Sequence, residues 1–323
     1  MTTPILEVRD LKVEYTTPAG PALAVAGVSF DLAPGEFLAI VGESGCGKST
    51  LLYSIAELLT YPAQTVSGSV RFNGVELRSL PAEELRQHRW RDISVVMQSA
   101  MNALNPTLSI GAQLADACRA HTDWDDQLIA ERSAHVLSMV SIDVAHLKSF
   151  PFQLSGGMRQ RAMIAMALLL EPQLIIMDEP TSALDVVAQR SLMRQVENLR
   201  RELGFAVLFV THDMSVVSHF SDRLAVMYAG EIVELGGTRD VFDHPRHPYS
   251  SGLMDAFPSL VGAPKELLGI PGNPPSLVNP PQGCLFAPRC PFATDECREF
   301  RPELITVNGR AVRCHLVNPR SAV

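Results

Sequence analysis

Gly42-Glu-Ser-Gly-Cys-Gly-Lys-Ser-Thr50 fixes the fold class of this chain. It matches the pattern G-x-x-x-x-G-K-[ST] and lies between a strand-like run, Phe37 to Val41, and a helix-like run, Leu51 to Leu59. Glycines let successive backbone N–H groups converge on an anion, and the helix that follows presents its positive end. Lys48 adds a point charge, and the Ser49 hydroxyl suits Mg²⁺. The expected ligand is therefore a nucleoside triphosphate with magnesium. The predicted nucleotide-binding residues of this loop are Gly42, Glu43, Ser44, Gly45, Cys46, Gly47, Lys48, Ser49 and Thr50.

Composition sets the outer limits. The 323 residues, 46% of them hydrophobic, allow roughly two domains with a substantial core. A formal charge of −8 argues against a broad nucleic-acid-binding surface, so no nucleic-acid partner is expected. Ala162 to Leu170 is cut by Glu171-Pro172, well short of the roughly 20 apolar residues that cross a bilayer. Met1 to Asp10 lacks a secretory signal pattern, which predicts a cytosolic chain.

The pattern of elements changes near residue 240. Before it, strand-like and helix-like segments alternate, which predicts an α/β fold with helices covering a largely parallel sheet. The segments are Phe37 to Val41, Leu51 to Leu59, Leu174 to Asp178, Asp185 to Leu203, Ala206 to Thr211, Met214 to Phe220 and Arg223 to Met227. After it lie 13 of the 23 prolines, so long helices are not expected there.

Two further motifs carry chemistry. A buried-looking strand, Leu174 to Asp178, ends with Asp178 and Glu179 side by side. Because side chains alternate along a strand, Asp178 can help hold Mg²⁺ through water while Glu179 faces the place of an attacking water. Ser155, Gly156 and Gly157 precede an apolar segment, so Ser155 is expected to cap a helix whose exposed amides make a second anion site.

The order of these motifs resembles that of the nucleotide-binding subunits of ATP-binding cassette (ABC) transporters. The resemblance covers essentially the whole chain. Further residues carry it: Tyr15 near the N-terminus, Gln98 in Val96-Met97-Gln98, the signature Leu154 to Met158, Ser182 to Asp185, and His212 in Val210-Thr-His-Asp. It implies a P-loop ABC domain, with a RecA-like core, a β subdomain and a helical subdomain at about 100–165, over residues 1–240. A Pro- and Cys-rich extension would occupy residues 241–323.

The same resemblance implies roles for single residues. Two subunits would pair head to tail, each ATP lying between one P-loop and the other subunit's Ser155, Gly156 and Gly157. Ser49, Gln98 and Asp178 would approach Mg²⁺. Glu179 would activate water, and His212 would touch the γ-phosphate. Tyr15 would stack on adenine, or simply pack in its strand, and Asp185 would lie at the subunit junction.

One subgroup is closer than the rest of the family. Met158 replaces the glutamine common at the end of the signature, and the chain resembles the D-type ATPase subunits of bacterial dipeptide and oligopeptide permeases. Supporting stretches are Gln98 to Pro106, His247 to Leu253 and Ile270 to Leu277. This implies a peripheral protein at the cytoplasmic face of the plasma membrane.

Its implied partners are a second, F-type ATPase subunit, two polytopic permease subunits and, indirectly, an extracytoplasmic solute-binding protein. The permease would contact the region after Gln98, including Met101 and Asn102. Glutathione or an oligosaccharide is an alternative cargo. A soluble ABC ATPase acting on DNA or ribosomes, and a non-hydrolytic nucleotide sensor, are alternative functions.

Six cysteines require interpretation. Cys284, Cys290, Cys297 and Cys314 are spaced C-x5-C-x6-C-x16-C, and in a cytosolic protein they indicate either a thiolate metal site or reduced thiols. The spacing lacks the close pairs typical of zinc knuckles, although His315 could add a nitrogen ligand. The permease resemblance implies a [4Fe-4S] cluster at these four cysteines. Cys46 is either a reactive thiolate or an inert small residue.

Overall fold

The computed structural model describes residues 3–98, 103–182, 184–256 and 269–317. Within these ranges the chain forms twelve strands and ten α-helices. The strands are β1 Leu6–Thr17, β2 Gly20–Leu32, β3 Phe37–Val41, β4 Ala63–Phe72, β5 Val75–Glu76, β6 Ile93–Val96, β7 Leu174–Asp178, β8 Ala206–Val210, β9 Arg223–Tyr228, β10 Glu231–Gly237, β11 Ile305–Val307 and β12 Arg310–Val312. The helices are α1 Lys48–Ile55, α2 Ala82–His88, α3 Ile110–His121, α4 Asp126–Met139, α5 Gly156–Leu168, α6 Val186–Leu203, α7 Met214–Phe220, α8 Thr238–Asp243, α9 Pro248–Asp255 and α10 Asp295–Glu299. The predicted α/β class is confirmed.

The chain divides into two compact units. The phosphate-loop unit contains Leu6–Asp31, Leu38–Arg78 and Val210–Val323. The helical unit contains Met1–Ile5, Leu32–Phe37 and Ser79–Phe209. Each unit is therefore built from segments that are distant in sequence.

Two sets of strands organise the phosphate-loop unit. One is an antiparallel sheet in the order β2-β1-β4-β5, and the other runs β11-β12-β10-β9-β3. β3 pairs in parallel with β9, with Ile40 opposite Ala225. All five residues of β3 are buried, as expected for an apolar run covered on both faces of a parallel sheet. Because β3 is buried and paired in the sheet, the position of Gly42, where the phosphate loop begins, is held in place.

The helical unit has a parallel pair of strands and a group of helices. β6 pairs in parallel with β7, with Ser94 opposite Ile175, and all residues of β7 and β8 are buried. α3, α4 and α5 pack together through buried side chains that include Leu114, Val136 and Leu137. Met101 and Asn102 lie outside the described residues.

Local chemistry decides where the predicted elements begin and end. β3, β7 and α7 have the predicted bounds. α1, in contrast, begins at Lys48 and ends at Ile55, several residues before the predicted Leu59. Glu57 adopts a positive φ of 54°, a left-handed conformation that cannot continue a helix. The apolar pattern alone does not reveal that stop.

Beyond residue 240 the described helices are short. α8, α9 and α10 have six, eight and five residues, in agreement with the expectation from proline density. The extension nevertheless adds two strands to the sheet, because β12 pairs with β10 and β11 pairs with β12. Nowhere in residues 3–98, 103–182, 184–256 and 269–317 is a helix long and apolar enough to cross a membrane.

Candidate functional site

The phosphate loop follows β3 and enters α1 through a tight backbone path. Gly47 has a φ of 102°, a region that favours glycine, and a Cβ there would collide with the carbonyl oxygen of Ala24. A Cβ on Gly42 would collide with the carbonyl oxygen of Met227 and lie 2.8 Å from the sulfur of Cys46. The glycine spacing seen in the sequence is therefore a steric requirement of the loop.

The start of α1 is suited to an anion. Gly47 occupies the N-cap position and has no side chain to cap the first-turn amides. Those amides and the positive end of the helix are a general binding site for phosphate. The buried Lys48 ammonium donates to the carbonyl oxygens of Gly42 and Glu43, each at 2.9 Å. A cation and oriented N–H groups thus meet in one loop.

Two other predicted nucleotide residues belong to the phosphate-loop unit. The Tyr15 hydroxyl lies 3.1 Å from the Thr50 hydroxyl, so this half-buried tyrosine of β1 is joined to the first turn of α1. His212 is exposed between β8 and α7. Next to it, Asp213 caps α7 by accepting from the N–H groups of Ser215 and Val216.

Cys46 does not have the environment of a reactive thiolate. Its side chain is buried, and burial raises the pKa of the thiol despite the nearby charge of Lys48. Since the thiolate is the nucleophile, the structure favours the inert interpretation. Desolvation of the buried thiol thus outweighs the stabilisation of a thiolate by Lys48.

The carboxylate pair lies at the end of β7 in the helical unit. Asp178 is fully buried, whereas Glu179 is half-buried and accepts a hydrogen bond from the Gln98 amide at 3.1 Å. Gln98 and Glu179 are 81 residues apart in sequence, and the structure brings them together. Glu179 has a φ of 44°, a left-handed conformation that costs about 1 kcal/mol in a non-glycine residue. Such strain is concentrated at functional sites.

The signature segment forms the predicted helix start. Ser155 caps α5, its hydroxyl accepting from the Met158 N–H at 3.3 Å, as expected. A Cβ on Gly157 would meet no atom within 4 Å, so its backbone is open to a ligand. Asp185 caps α6, its carboxylate accepting from the N–H groups of Val187 and Ala188 at 3.0 and 2.9 Å.

Two relevant residues were not identified from the sequence. Gln160 is 2% exposed, and its amide donates to the carbonyl oxygen of Pro180, which ties the signature helix to the segment after Glu179. Tyr249, fully buried, accepts a hydrogen bond from the N–H of Glu43 at 2.9 Å. The available signal for Gln160 in the sequence was a polar residue at the start of an apolar helical segment. Tyr249 gave no signal, because its partner Glu43 lies 206 residues away in sequence.

The four late cysteines are all free. Burial raises the pKa of Cys284 to about 11, although its sulfur accepts hydrogen bonds from the N–H groups of Phe286 and Ala287. Cys290 and Cys314 also have pKa values raised by burial, and each sulfur accepts from a backbone N–H two residues later. No group of three or more His, Cys, Asp or Glu side chains in the described part of the chain is placed to hold a metal ion. The expected cluster site is thus not assembled in this structure.

His315 does not offer the nitrogen ligand considered above. One ring nitrogen lies 3.0 Å from the carbonyl oxygen of Phe300, and the other lies 3.3 Å from the Glu296 carboxylate. Both nitrogens are therefore already engaged. The sequence could not indicate this, because both partners come from another turn of the extension.

Comparison with known proteins agrees with this arrangement of motifs. Residues 25–182 match the family described as ABC transporter, and residues 233–297 match the oligopeptide/dipeptide transporter C-terminal region. The oligopeptide transport ATP-binding protein OppD of Haemophilus influenzae is 45% identical over 316 residues, which is 97% of each chain. The dipeptide transport ATP-binding protein DppD of Caldanaerobacter subterraneus subsp. tengcongensis is 40% identical over 315 residues, also 97% of each.

A solved structure extends the comparison to the fold. The ATP-binding cassette MJ0796, solved as a dimer in a post-hydrolysis state with ADP and phosphate, superposes with a TM-score of 0.65 and 29% identity. The match covers 72% of this chain and 99% of that one. With a phosphate loop, a strand-end carboxylate pair and a capped signature helix in the same order, the chain belongs to the ABC transporter family, in its group of oligopeptide and dipeptide transport ATP-binding proteins.

Proposed function

We propose that this chain is the ATP-hydrolysing subunit of a bacterial importer of dipeptides or oligopeptides. The observation that carries the proposal is the phosphate loop, where the uncapped start of α1 and the ammonium of Lys48 form an anion site. Its relatives are named as peptide transport proteins. Glutathione or an oligosaccharide is the alternative cargo.

The proposed mechanism assigns separate tasks to the two units. In the phosphate-loop unit, Lys48 and the loop amides bind the phosphates, Ser49 binds Mg²⁺, Tyr15 stacks on adenine and His212 contacts the γ-phosphate. In the helical unit, Gln98 and Asp178 approach Mg²⁺ and Glu179 orients the attacking water. Phosphoryl transfer depends on such positioning and charge stabilisation.

Two copies of the motor are needed for a complete reaction. Ser155, Gly156 and Gly157 would bind the ATP held by the P-loop of the partner ATPase, with Asp185 at the junction. The exposed Ser155 and the open space at Gly157 support this role. Closing the pair then completes the site, and hydrolysis reopens it.

The partners that we propose follow from the family. They are an F-type ATPase subunit, two polytopic permease subunits, and an extracytoplasmic solute-binding protein that selects the cargo. The chain would then be a peripheral protein at the cytoplasmic face of the plasma membrane. We also propose that residues 1–240 form the ABC nucleotide-binding domain and residues 241–323 a permease-type extension.

Glu179→Gln in the reconstituted complex tests the proposal. The amide keeps the size of the side chain but cannot activate water, so peptide-stimulated ATP turnover should fall at least about 100-fold while ATP binding is retained. Glu171→Gln is the matched control, since Glu171 is exposed and paired with Arg132 in the same unit. Unchanged ATP turnover in Glu179→Gln would contradict the role assigned to Glu179. Transport of sugars but not of peptides would contradict the proposal that peptides are the cargo.

The four cysteines of the extension carry a separate proposal. We propose that Cys284, Cys290, Cys297 and Cys314 hold a [4Fe-4S] cluster as a structural clamp, with no part in ATP hydrolysis. The backbone N–H groups that point at three of the sulfurs support it, because such hydrogen bonds favour thiolates. Binding would require the sulfurs to move together and lose their protons.

Anaerobic purification tests the cluster. We expect brown protein with broad absorption near roughly 400 nm and about four irons per chain. The Cys290→Ser variant should lose the absorption near roughly 400 nm and the bound iron. Colourless, iron-free protein prepared anaerobically would rule the cluster out.

A further inference from the structure

Arg289, in the proline-rich extension, reaches the phosphate loop. Its two terminal nitrogens donate to the two carboxylate oxygens of Glu43 at 2.7 and 2.9 Å. The two residues are 246 positions apart in sequence, and Glu43 is the second residue of the loop. This bidentate geometry is the strong form of a charged hydrogen-bonded pair. It links the end of the chain to the segment that must receive a triphosphate.

The Arg289 side chain is held rigidly before any ligand binds. Only 3% of it is exposed, and it donates to the carbonyl oxygens of Pro271 at 2.8 Å and Ile270 at 3.1 Å. The guanidinium also lies over the rings of Tyr228, at 5.7 Å, and Phe286, at 6.0 Å. A planar cation fixed by four partners cannot follow a mobile carboxylate, so it determines where Glu43 lies.

Glu43 in turn determines the shape of the loop. Its N–H donates to the Tyr249 hydroxyl at 2.9 Å, and its carbonyl oxygen accepts from the Lys48 ammonium at 2.9 Å. Tyr249 and Arg289 of the extension therefore contact Glu43 directly. The carbonyl groups of Ile270 and Pro271 hold Arg289 in place. Tyr249, Ile270 and Pro271 lie in the stretches His247 to Leu253 and Ile270 to Leu277, to which the ATPase mechanism gives no task.

The carboxylate of Glu43 poses an electrostatic problem for nucleotide binding. A negative side chain on a phosphate-binding loop repels the triphosphate that the loop must hold. The fixed positive charge of Arg289 cancels that repulsion at short range.

We propose that Arg289 is a positioning residue for ATP binding: by fixing and neutralising Glu43, the C-terminal extension sets the affinity of the phosphate loop. The role adds to the ATPase activity and does not depend on the cargo or on a metal at the cysteines.

A charge cycle on the full-length chain tests the proposal. The variants are Arg289→Met, Glu43→Gln and the double variant, measured by binding of fluorescent ATP with Mg²⁺. Arg289→Met leaves the carboxylate uncompensated and should weaken binding roughly tenfold. Glu43→Gln leaves the cation uncompensated and should tighten binding a few fold, on the same Coulomb argument. The double variant should return to within about threefold of the wild type, since neither charge remains.

Salt dependence and a matched control separate charge from packing. The weakening in Arg289→Met should shrink between about 0.05 and 0.5 M salt, because screening acts on Coulomb repulsion and not on packing. Arg298→Met is the control, since it breaks an exposed ion pair with Asp295 in the same extension. It should leave ATP affinity at the wild-type value.

Two results would overturn the proposal. One is a double variant that binds ATP as weakly as Arg289→Met, because Arg289 would then act through its packing alone. The other is wild-type affinity in Arg289→Met. If Arg289→Met fails to fold, Glu43→Gln decides, since it keeps the bonds of Arg289 to Pro271 and Ile270; failure to tighten binding would then overturn the proposal.

Discussion

At the scale of single residues, burial controls the chemistry of His247. This histidine is 2% exposed, caps α9, and accepts from the N–H of Tyr249 at 3.0 Å through its Nδ1 atom. Burial, with a smaller contribution from the charge of Arg313, lowers the pKa of His247 to about 3. A capping nitrogen must be unprotonated to accept, so the neutral ring is also the form that the helix start requires.

We expect His247 to make the protein sensitive to acid. In the unfolded chain a histidine titrates near 6.5, so below that pH the unfolded state binds a proton that the folded state excludes until about pH 3. The free energy of unfolding should therefore fall by up to about 1.4 kcal/mol per pH unit below 6.5. His247→Asn, whose side chain can still cap the helix, should flatten this slope in thermal unfolding followed from pH 8 to pH 5.

His219→Asn provides the comparison, because that histidine is exposed on α7. In the His219→Asn variant, the free energy of unfolding should change with pH by the same amount as in the wild type. Equal slopes in His247→Asn and the wild type would contradict the argument.

At the scale of elements, caps fix where helices begin. Asp185 accepts from two first-turn N–H groups of α6, a helix of 18 residues that is followed by Gly204 in the left-handed conformation. Asp185 therefore stabilises the start of α6, in addition to the role at the subunit junction that the family resemblance implies. Both tasks use one carboxylate, and substitution can separate them.

Asp185→Ala should lower the free energy of unfolding by about 1 kcal/mol, because an N-cap is lost. Asp185→Asn should keep most of that stability, since asparagine caps about equally well. Chemical denaturation of both variants measures the difference. If Asp185→Asn keeps its stability but loses nucleotide-dependent pairing with the second ATPase, the carboxylate serves the junction; if Asp185→Ala is as stable as the wild type, the cap contributes nothing.

At the scale of the whole molecule, the proline-rich extension is integrated into the phosphate-loop unit. β12 pairs with β10, and the fully buried carboxylate of Glu234 on β10 accepts from the N–H groups of Arg246 and His247. The N–H of Leu23 donates to the carbonyl oxygen of Leu277 at 3.0 Å. The extension is therefore part of the unit that carries the phosphate loop, although its composition differs from everything before it.

Features that depend on near neighbours along the chain are predictable from the sequence. The phosphate loop, the strand ending at Asp178 and the cap at Ser155 were all predicted, because glycine conformation, apolar runs and capping act over a few residues. The order of motifs also predicted the family.

Features that depend on residues distant in sequence are visible only in the folded chain. The folded structure shows that Cys46 is buried and that His315 contacts the carbonyl oxygen of Phe300. It also shows that, among the described residues, the four late cysteines do not form a group that could hold a metal ion. Arg289 meets Glu43 across 246 residues, and no local pattern encodes a contact of that range. Local sequence preferences determine where helices and strands form. Contacts between residues distant in sequence depend on how those helices and strands pack together.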